Sequence, residues 1–259
     1  VLLQREYSPE IFKGFLVTCG ATYLMCCIGA LLFFIIGKAM KMQPKELGLF
    51  SGGGVYSNVI FMGQPLIMAM YGAEGLIFCV AVMFTCNVFL FTVCSVLFAM
   101  GSDLKKSAGQ MLKDAFINLI CLSAIIGVFC FVNSISLPQP IFDVLQYSAN
   151  TTVCLSMIYI GSLLAAANVR EIFQDKKVYI FSFLTLIVIP IITKLICGTF
   201  MSGMALSVLV VLMGTPAAAA LPSFADLYGN DEKRASEYAF VSTILSVITL
   251  PLVAQFLCQ

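Results

Sequence analysis

The sequence predicts an all-α polytopic membrane protein, and three observations carry that prediction. Hydrophobic residues make up 61% of the 259 and charged residues only 10%, against roughly 45–50% and about 25% in soluble domains. The mean hydropathy of +1.03 is an average over the whole chain, which leaves little room for a soluble domain. The apolar runs are continuous and about 20 residues or longer, whereas a β-barrel needs alternating segments of about 10.

Eight such runs follow one another at 11–37, 47–71, 75–100, 114–133, 141–167, 177–200, 205–228 and 235–258. Each is long enough to cross ~30 Å of hydrocarbon at ~1.5 Å per residue. Ahead of them lies a polar leader, residues 1–10, which includes "QREYSPE" and starts at Val1 rather than methionine. It reads as the start of a fragment that has lost upstream sequence.

Charge orders the loops. Lys38, Lys41 and Lys45 follow the first run, Lys105, Lys106 and Lys113 the third, Arg170, Lys176 and Lys177 the fifth, and Lys233 and Arg234 the seventh. The loops after the second, fourth and sixth runs hold no lysine or arginine. By the positive-inside rule the first set is cytosolic, and both chain ends lie on the other side of a plasma membrane, with Arg5 and Lys13 as mild exceptions. A net charge of +1 and the lack of any basic stretch longer than two residues argue against a nucleic-acid partner.

Most of the eleven cysteines lie inside apolar runs (Cys19, Cys26, Cys27, Cys79, Cys86, Cys94 and Cys121 among them), and none forms a C-x-x-C pair. They read as small buried hydrophobes rather than as a disulfide framework. With no histidine, the commonest metal ligand and pH switch is missing. No metal or cofactor is expected.

The second and seventh runs share an interruption. Pro65, five residues, Tyr71-Gly72, one residue and Glu74 are matched, 157 residues on, by Pro222, five residues, Tyr228-Gly229, one residue and Asp231. The two runs are five crossings apart and so traverse the membrane in opposite directions, as an inverted repeat requires. Paired Gly/Pro-interrupted runs point to a transporter's binding site. Proline frees backbone groups, and these survive in hydrocarbon only against protein or a wet cavity. Where a helix restarts, its N–H groups present roughly half a positive charge to an anion.

Polar residues gather there. Asn58 lies two turns before Pro65 and corresponds by the 157 offset to Thr215, which Pro216 follows. The candidate substrate-binding residues are Ser57, Asn58, Gly63, Pro65, Asn87, Lys194, Thr215, Pro216 and Pro222. Lys194 is the one charge well inside a run and reads equally as functional or as snorkelling to the interface. Asn87, at mid-run, either lines a cavity or bonds between helices. Gly52-Gly53-Gly54 lacks the Gly-Lys-Ser/Thr of a phosphate loop and reads as helix packing.

"SNVIFMGQPL" followed by "YGAEGL", together with "TPAAAALPSFADLYGNDEKRASEYAFVSTILSVITLPLV", resembles the auxin efflux carrier family of plant PIN-FORMED exporters and bacterial malate and malonate permeases. The resemblance covers essentially the whole chain. It implies a fold like that of sodium–proton antiporters and bile-acid symporters, with two inverted five-helix repeats and crossing discontinuous helices. On that template eight of ten transmembrane segments are present. Residues 11–100 and 168–258 would form the two halves of a mobile transport domain. The stretch 101–113 would be a cytosolic loop, and 114–167 would be scaffold helices through which a homodimer forms.

The sequence and the resemblance together predict a secondary or facilitative carrier of small organic anions, carboxylates such as malate, malonate or auxin-like acids, moved outward by an elevator-type mechanism. Glu74, Asp143, Asp226 and Asp231 all sit at run ends, which favours export or exchange over proton coupling and leaves sodium coupling open. A transporter-like sensor or channel is the alternative. An intramembrane enzyme lacks support: the zinc-protease His pair and the G-x-S-x-G elbow are both missing, and "SDLK" at Ser102–Lys105 lies in a polar loop.

Overall fold

Helix α1 (Pro9–Ala39) opens with proline in its first turn, where a missing N–H costs nothing, and has Glu10 near its start and Lys38 near its end, as the helix dipole favours. Its buried stripe steps by three and four through Phe15, Thr18, Thr22, Met25, Gly29 and Phe33, while Leu31 and Ile35 on the other side are exposed. An exposed face this apolar suits lipid rather than water. In this computed structural model residues 8–101, 119–133, 135, 137–166 and 175–257 are described.

The remaining helices among them are α2 (Pro44–Val55), α3 (Gln64–Phe89), α4 (Ser95–Phe98), α5 (Leu119–Val132), α6 (Gln139–Ala166), α7 (Lys176–Phe183), α8 (Ile189–Cys197), α9 (Gly203–Met213), α10 (Leu221–Leu227) and α11 (Glu232–Leu257). Wide π-helical turns join into them at Val59–Gly63, Leu90–Cys94 and Leu184–Val188. The described residues contain no β-strand, only one isolated antiparallel bridge. The protein is therefore an all-helical, multi-pass membrane protein. Many hydroxyls inside the helices bond to the carbonyl one turn back, as Thr18 does to Gly14 (2.8 Å) and Thr85 to Ala81 (2.9 Å), so these need no partner from lipid.

Among the described residues, four helical stretches are long and apolar enough to cross a membrane: Pro9–Ala39, Val59–Phe98, Lys176–Cys197 and Glu232–Leu257. The 40 residues of the second would extend ~60 Å if straight, twice the hydrocarbon thickness. They do not run straight. Gly72 has φ 60° and ψ −154°, a region open essentially to glycine alone. A β-carbon placed on Gly75 would stand 2.8 Å from Cγ2 of Ile67, eight residues earlier, where a straight helix would separate them by ~12 Å. The chain turns back at Gly72, in agreement with the boundary between the second and third apolar runs.

The second and seventh runs are each split. Between α2 and the helical path that restarts at Val59 lie Tyr56, Ser57 and Asn58. Between α9 and α10 lie residues 214–220. The expectation that Pro65 and Pro222 make these breaks is corrected. Pro65 follows the π turn inside the restarted helix, and Pro222 sits in the first turn of α10, where its missing N–H is harmless. Of the three prolines in these runs, only Pro216 falls within a break.

The half-helices α2 and α9 span only ~18 and ~16 Å, and from Leu47 to Val55 and from Leu206 to Met213 every residue is buried. Glycine makes that burial of α2 possible. A β-carbon on Gly54 would stand 2.4 Å from the Phe33 ring, and one on Gly48 would stand 2.0 Å from the Leu97 carbonyl oxygen. The Gly52–Gly54 run thus serves packing, as its sequence implies. Phe33, Phe50, Phe181 and Tyr238 join α1, α2, α7 and α11 in one aromatic cluster, with Phe181 stacked on Tyr238 at 4.2 Å.

Ion pairs gather on one face. Lys177 Nζ pairs with Glu46 at 2.6 Å, while Arg234 bonds Asp175 and, at 2.9 Å, Glu237. The Asn230 side chain donates to the carbonyls of Lys45 and Phe98. The chain after the first run, the end of the third, the start of the sixth and the chain after the seventh therefore share a side. Partial burial opposes the charge of Asp175, yet the Lys177 N–H and the Arg234 guanidinium hold its carboxyl below the ordinary range.

Candidate functional site

The two breaks touch. Asn58 N–H donates to the Pro216 carbonyl at 2.8 Å, and Ala218 N–H donates to the Tyr56 carbonyl at 2.8 Å, which pairs Ser57 with Ala217 as a single antiparallel bridge. Each break thereby satisfies backbone groups that the other has freed, in a place where an unpaired group is costly. Ala217 N–H reaches the Ser242 hydroxyl of α11 at 3.2 Å, and Thr215 closes locally on the Leu212 carbonyl at 2.7 Å.

Asn58 caps the restarting helix. Its Oδ1 accepts from Phe61 N–H at 3.3 Å, and its carbonyl accepts from Gly63 N–H at 3.2 Å, the wide spacing of a π turn. With Oδ1 committed, Nδ2 is left, and this buried donor has no partner. Such a group costs about 1–3 kcal/mol and marks a place where a further acceptor fits.

A half-open cavity of about 420 Å³, counting the space at its mouth, lies beside this amide. Tyr56 through Phe61, Met83, Cys86, Asn87 and Ala218 through Ala220 line it. Asn87 lines the cavity, and its Nδ2 bonds the Met83 carbonyl of its own helix at 2.9 Å rather than another helix. The N–H groups of Ala219 and Ala220 are accepted by no described carbonyl. No charged side chain is among the lining residues.

The structure thus brings Ser57, Asn58 and Asn87 to one cavity and sets Thr215 and Pro216 directly behind it at the bridge. Gly63 holds the π turn against α9, where a β-carbon would come within 2.5 Å of Leu212. Pro65 and Pro222 shape the restarted helices without lining the cavity. Lys194 stands apart, half-buried in the last turn of α8. Tyr56, Val59, Ile60, Phe61, Met83, Cys86 and the three alanines are cavity residues that sequence reasoning missed. The alanine run between two prolines was their one visible signal.

The turns that follow the breaks correspond as well. Gly229 has φ 65° and closes α10 with bonds from Gly229 N–H to Asp226 (2.8 Å) and from Asn230 N–H to Ala225 (2.7 Å), the αL ending of a helix. Gly72, its counterpart 157 residues earlier, also has positive φ. In both places the Tyr-Gly pair is the hairpin that leads into the next spanning helix.

The family model described as "Membrane transport protein" matches residues 2–254. An uncharacterized transporter of Methanocaldococcus jannaschii is 27% identical over 257 residues, covering 96% of this chain and 82% of its own length. A Rhizobium meliloti protein named "Putative malonate transporter" is 25% identical over 262 residues, covering 96% and 79%. With two interrupted helices bonded to each other and a family match over nearly its whole length, the chain belongs to the membrane transport protein family, that of the auxin efflux carriers.

Proposed function

We propose that this protein is a secondary or facilitative carrier of small organic anions, and that the substrate's carboxylate is held at the meeting of the two breaks. The observation that carries the reading is the buried, unpartnered Nδ2 of Asn58 at the wall of a cavity between restarting helices. A carboxylate oxygen satisfies that donor, and the helix start at Val59 adds about half a positive charge. Family membership and the transporters among its relatives support transport over catalysis.

The inverted-repeat and elevator parts of the reading rest on further support. The residues matched by the 157 offset take corresponding places, Gly72 and Gly229 at positive φ and Pro65 and Pro222 in the restarted helices. The ion pairs tie α2, α7 and α11, with the N-cap of α7, into one body. In this picture α1–α4 and α7–α11 move together against a scaffold of α5 and α6, which also supplies a dimer contact, and the basic face is cytosolic. Lys194 acts at the interface rather than on the substrate.

Counterflow in proteoliposomes tests the reading. Asn58→Ala is expected to cut flux at least tenfold with membrane insertion unchanged. Unchanged flux in that variant rejects the site.

A further inference from the structure

We infer that Asn230 is a positioning residue for the anion site, a clip that holds the two half-helices flanking the breaks in register. The inference rests on the carrier reading and goes beyond it, since Asn230 lies at the far end of those half-helices and does not line the cavity beside Asn58.

Asn230 is buried, and its whole amide is engaged. Nδ2 donates to the Lys45 carbonyl at 3.0 Å, in the first turn of α2, and to the Phe98 carbonyl at 2.9 Å, at the end of α4. Oδ1 accepts from Asp231 N–H at 2.8 Å, which ties the same amide to the turn between α10 and α11. One side chain of the second half of the chain thus grips two helix ends of the first.

Residues 45–57 and 217–230 consequently lie antiparallel and are fastened at both ends. The Ser57–Ala217 bridge joins them at the breaks, and Asn230 joins them ~15 Å away at the start of α2. Between these points the two stretches touch. A β-carbon on Gly53 would stand 3.0 Å from Leu221, and the Tyr56 and Phe224 rings meet edge-on at 5.5 Å. The Glu46–Lys177 pair holds the same end of α2 to α7 rather than to the α10 turn, so it does not replace the clip. The cavity takes Asn58 from one member of this antiparallel pair and Ala218, Ala219 and Ala220 from the other, so its shape is their relative placement. A pair fastened only at the bridge can pivot there, which lowers the fraction of protein with the cavity formed, and ligand affinity falls with that fraction. A residue that stabilised only its own turn would lower the amount of folded protein and leave affinity alone.

The test uses the full chain in proteoliposomes, with labelled benzoate counterflow and, on the same preparations, amide hydrogen exchange read peptide by peptide. Asn230→Asp keeps the size and the acceptor of the side chain and loses both donated bonds, whereas Asn230→Ala loses all three. Gly72→Ala, which strains a different turn, is the control for lost stability. Both Asn230 variants are expected to raise the half-saturating benzoate concentration at least fivefold and to speed exchange in the peptides holding Asn58 and Ala218 at least tenfold, with Gly72→Ala changing neither. If Asn230→Ala fails to insert, Asn230→Asp decides. Failure of either change in the Asn230 variants overturns the inference, and so does an equal change in Gly72→Ala. If the unaltered protein carries no benzoate, the carrier reading fails for this anion, and the exchange rates alone decide whether Asn230 fastens the pair.

Discussion

At the scale of single residues, Asn58 and Asn87 were visible in the sequence because an amide inside an apolar run needs a partner, and few other residues there do. Tyr56, Met83 and Cys86 were not visible. Aromatic, thioether and thiol side chains are ordinary in a membrane helix, and only the position of a break turns them into a cavity wall. Lys194, the one charge deep in a run and readable equally as functional or as snorkelling, stands in the last turn of α8 and does not line the cavity. The unpartnered amide has an energetic signature. Asn58→Ala removes a cap worth about 1 kcal/mol and also relieves a buried unsatisfied donor that costs about 1–3 kcal/mol. Thermal unfolding in detergent should therefore show stability unchanged within ~1 kcal/mol, or slightly raised, while flux is lost. A large loss of stability would recast Asn58 as a structural residue.

At the scale of elements, the apolar runs gave the helices and their order, and they placed the turn at Gly72 correctly. Local pattern could not place the breaks. Prolines are the strongest interruption signal in a sequence, yet Pro65 and Pro222 sit inside restarted helices. The actual gap at Tyr56–Asn58 contains no proline and is held open by bonds to a segment about 160 residues away. Such tertiary compensation leaves no periodic trace in the chain. The Tyr-Gly pairs, by contrast, mark real turns. Gly72→Ala introduces no clash, since nothing lies within 4 Å of the added carbon, so its whole effect is backbone strain of about 1–3 kcal/mol. A drop of that size in unfolding free energy is expected, and an unchanged value would show that the turn relaxes to negative φ.

At the scale of the whole molecule, the ion pairs between Glu46 and Lys177 and between Asp175 and Arg234 bring the chain after the first run, the start of the sixth and the chain after the seventh to one face. The folded state lowers the Asp175 pKa, so this carboxylate contributes stability above its unfolded value near 4 and loses it as pH falls through the lower folded value. The Asp175→Asn variant should be less stable by about 1 kcal/mol at pH 7, a modest figure because the pair is partly exposed. Its unfolding curve should converge on that of the unaltered protein as the pH is taken from 5 to below 3. A gap independent of pH would mean that the carboxylate's charge is not what ties the loops. The central claim, that an anion occupies the cavity where the two breaks bond, is tested most directly at Cys86, which lines that cavity, against Cys27, which is exposed on the other side of α1. N-ethylmaleimide labelling, read peptide by peptide by mass spectrometry, should slow at least threefold at Cys86 and not at Cys27 when a saturating anion that drives counterflow, such as benzoate, is present. Equal labelling of Cys86 with and without that anion, while counterflow proceeds, would contradict it.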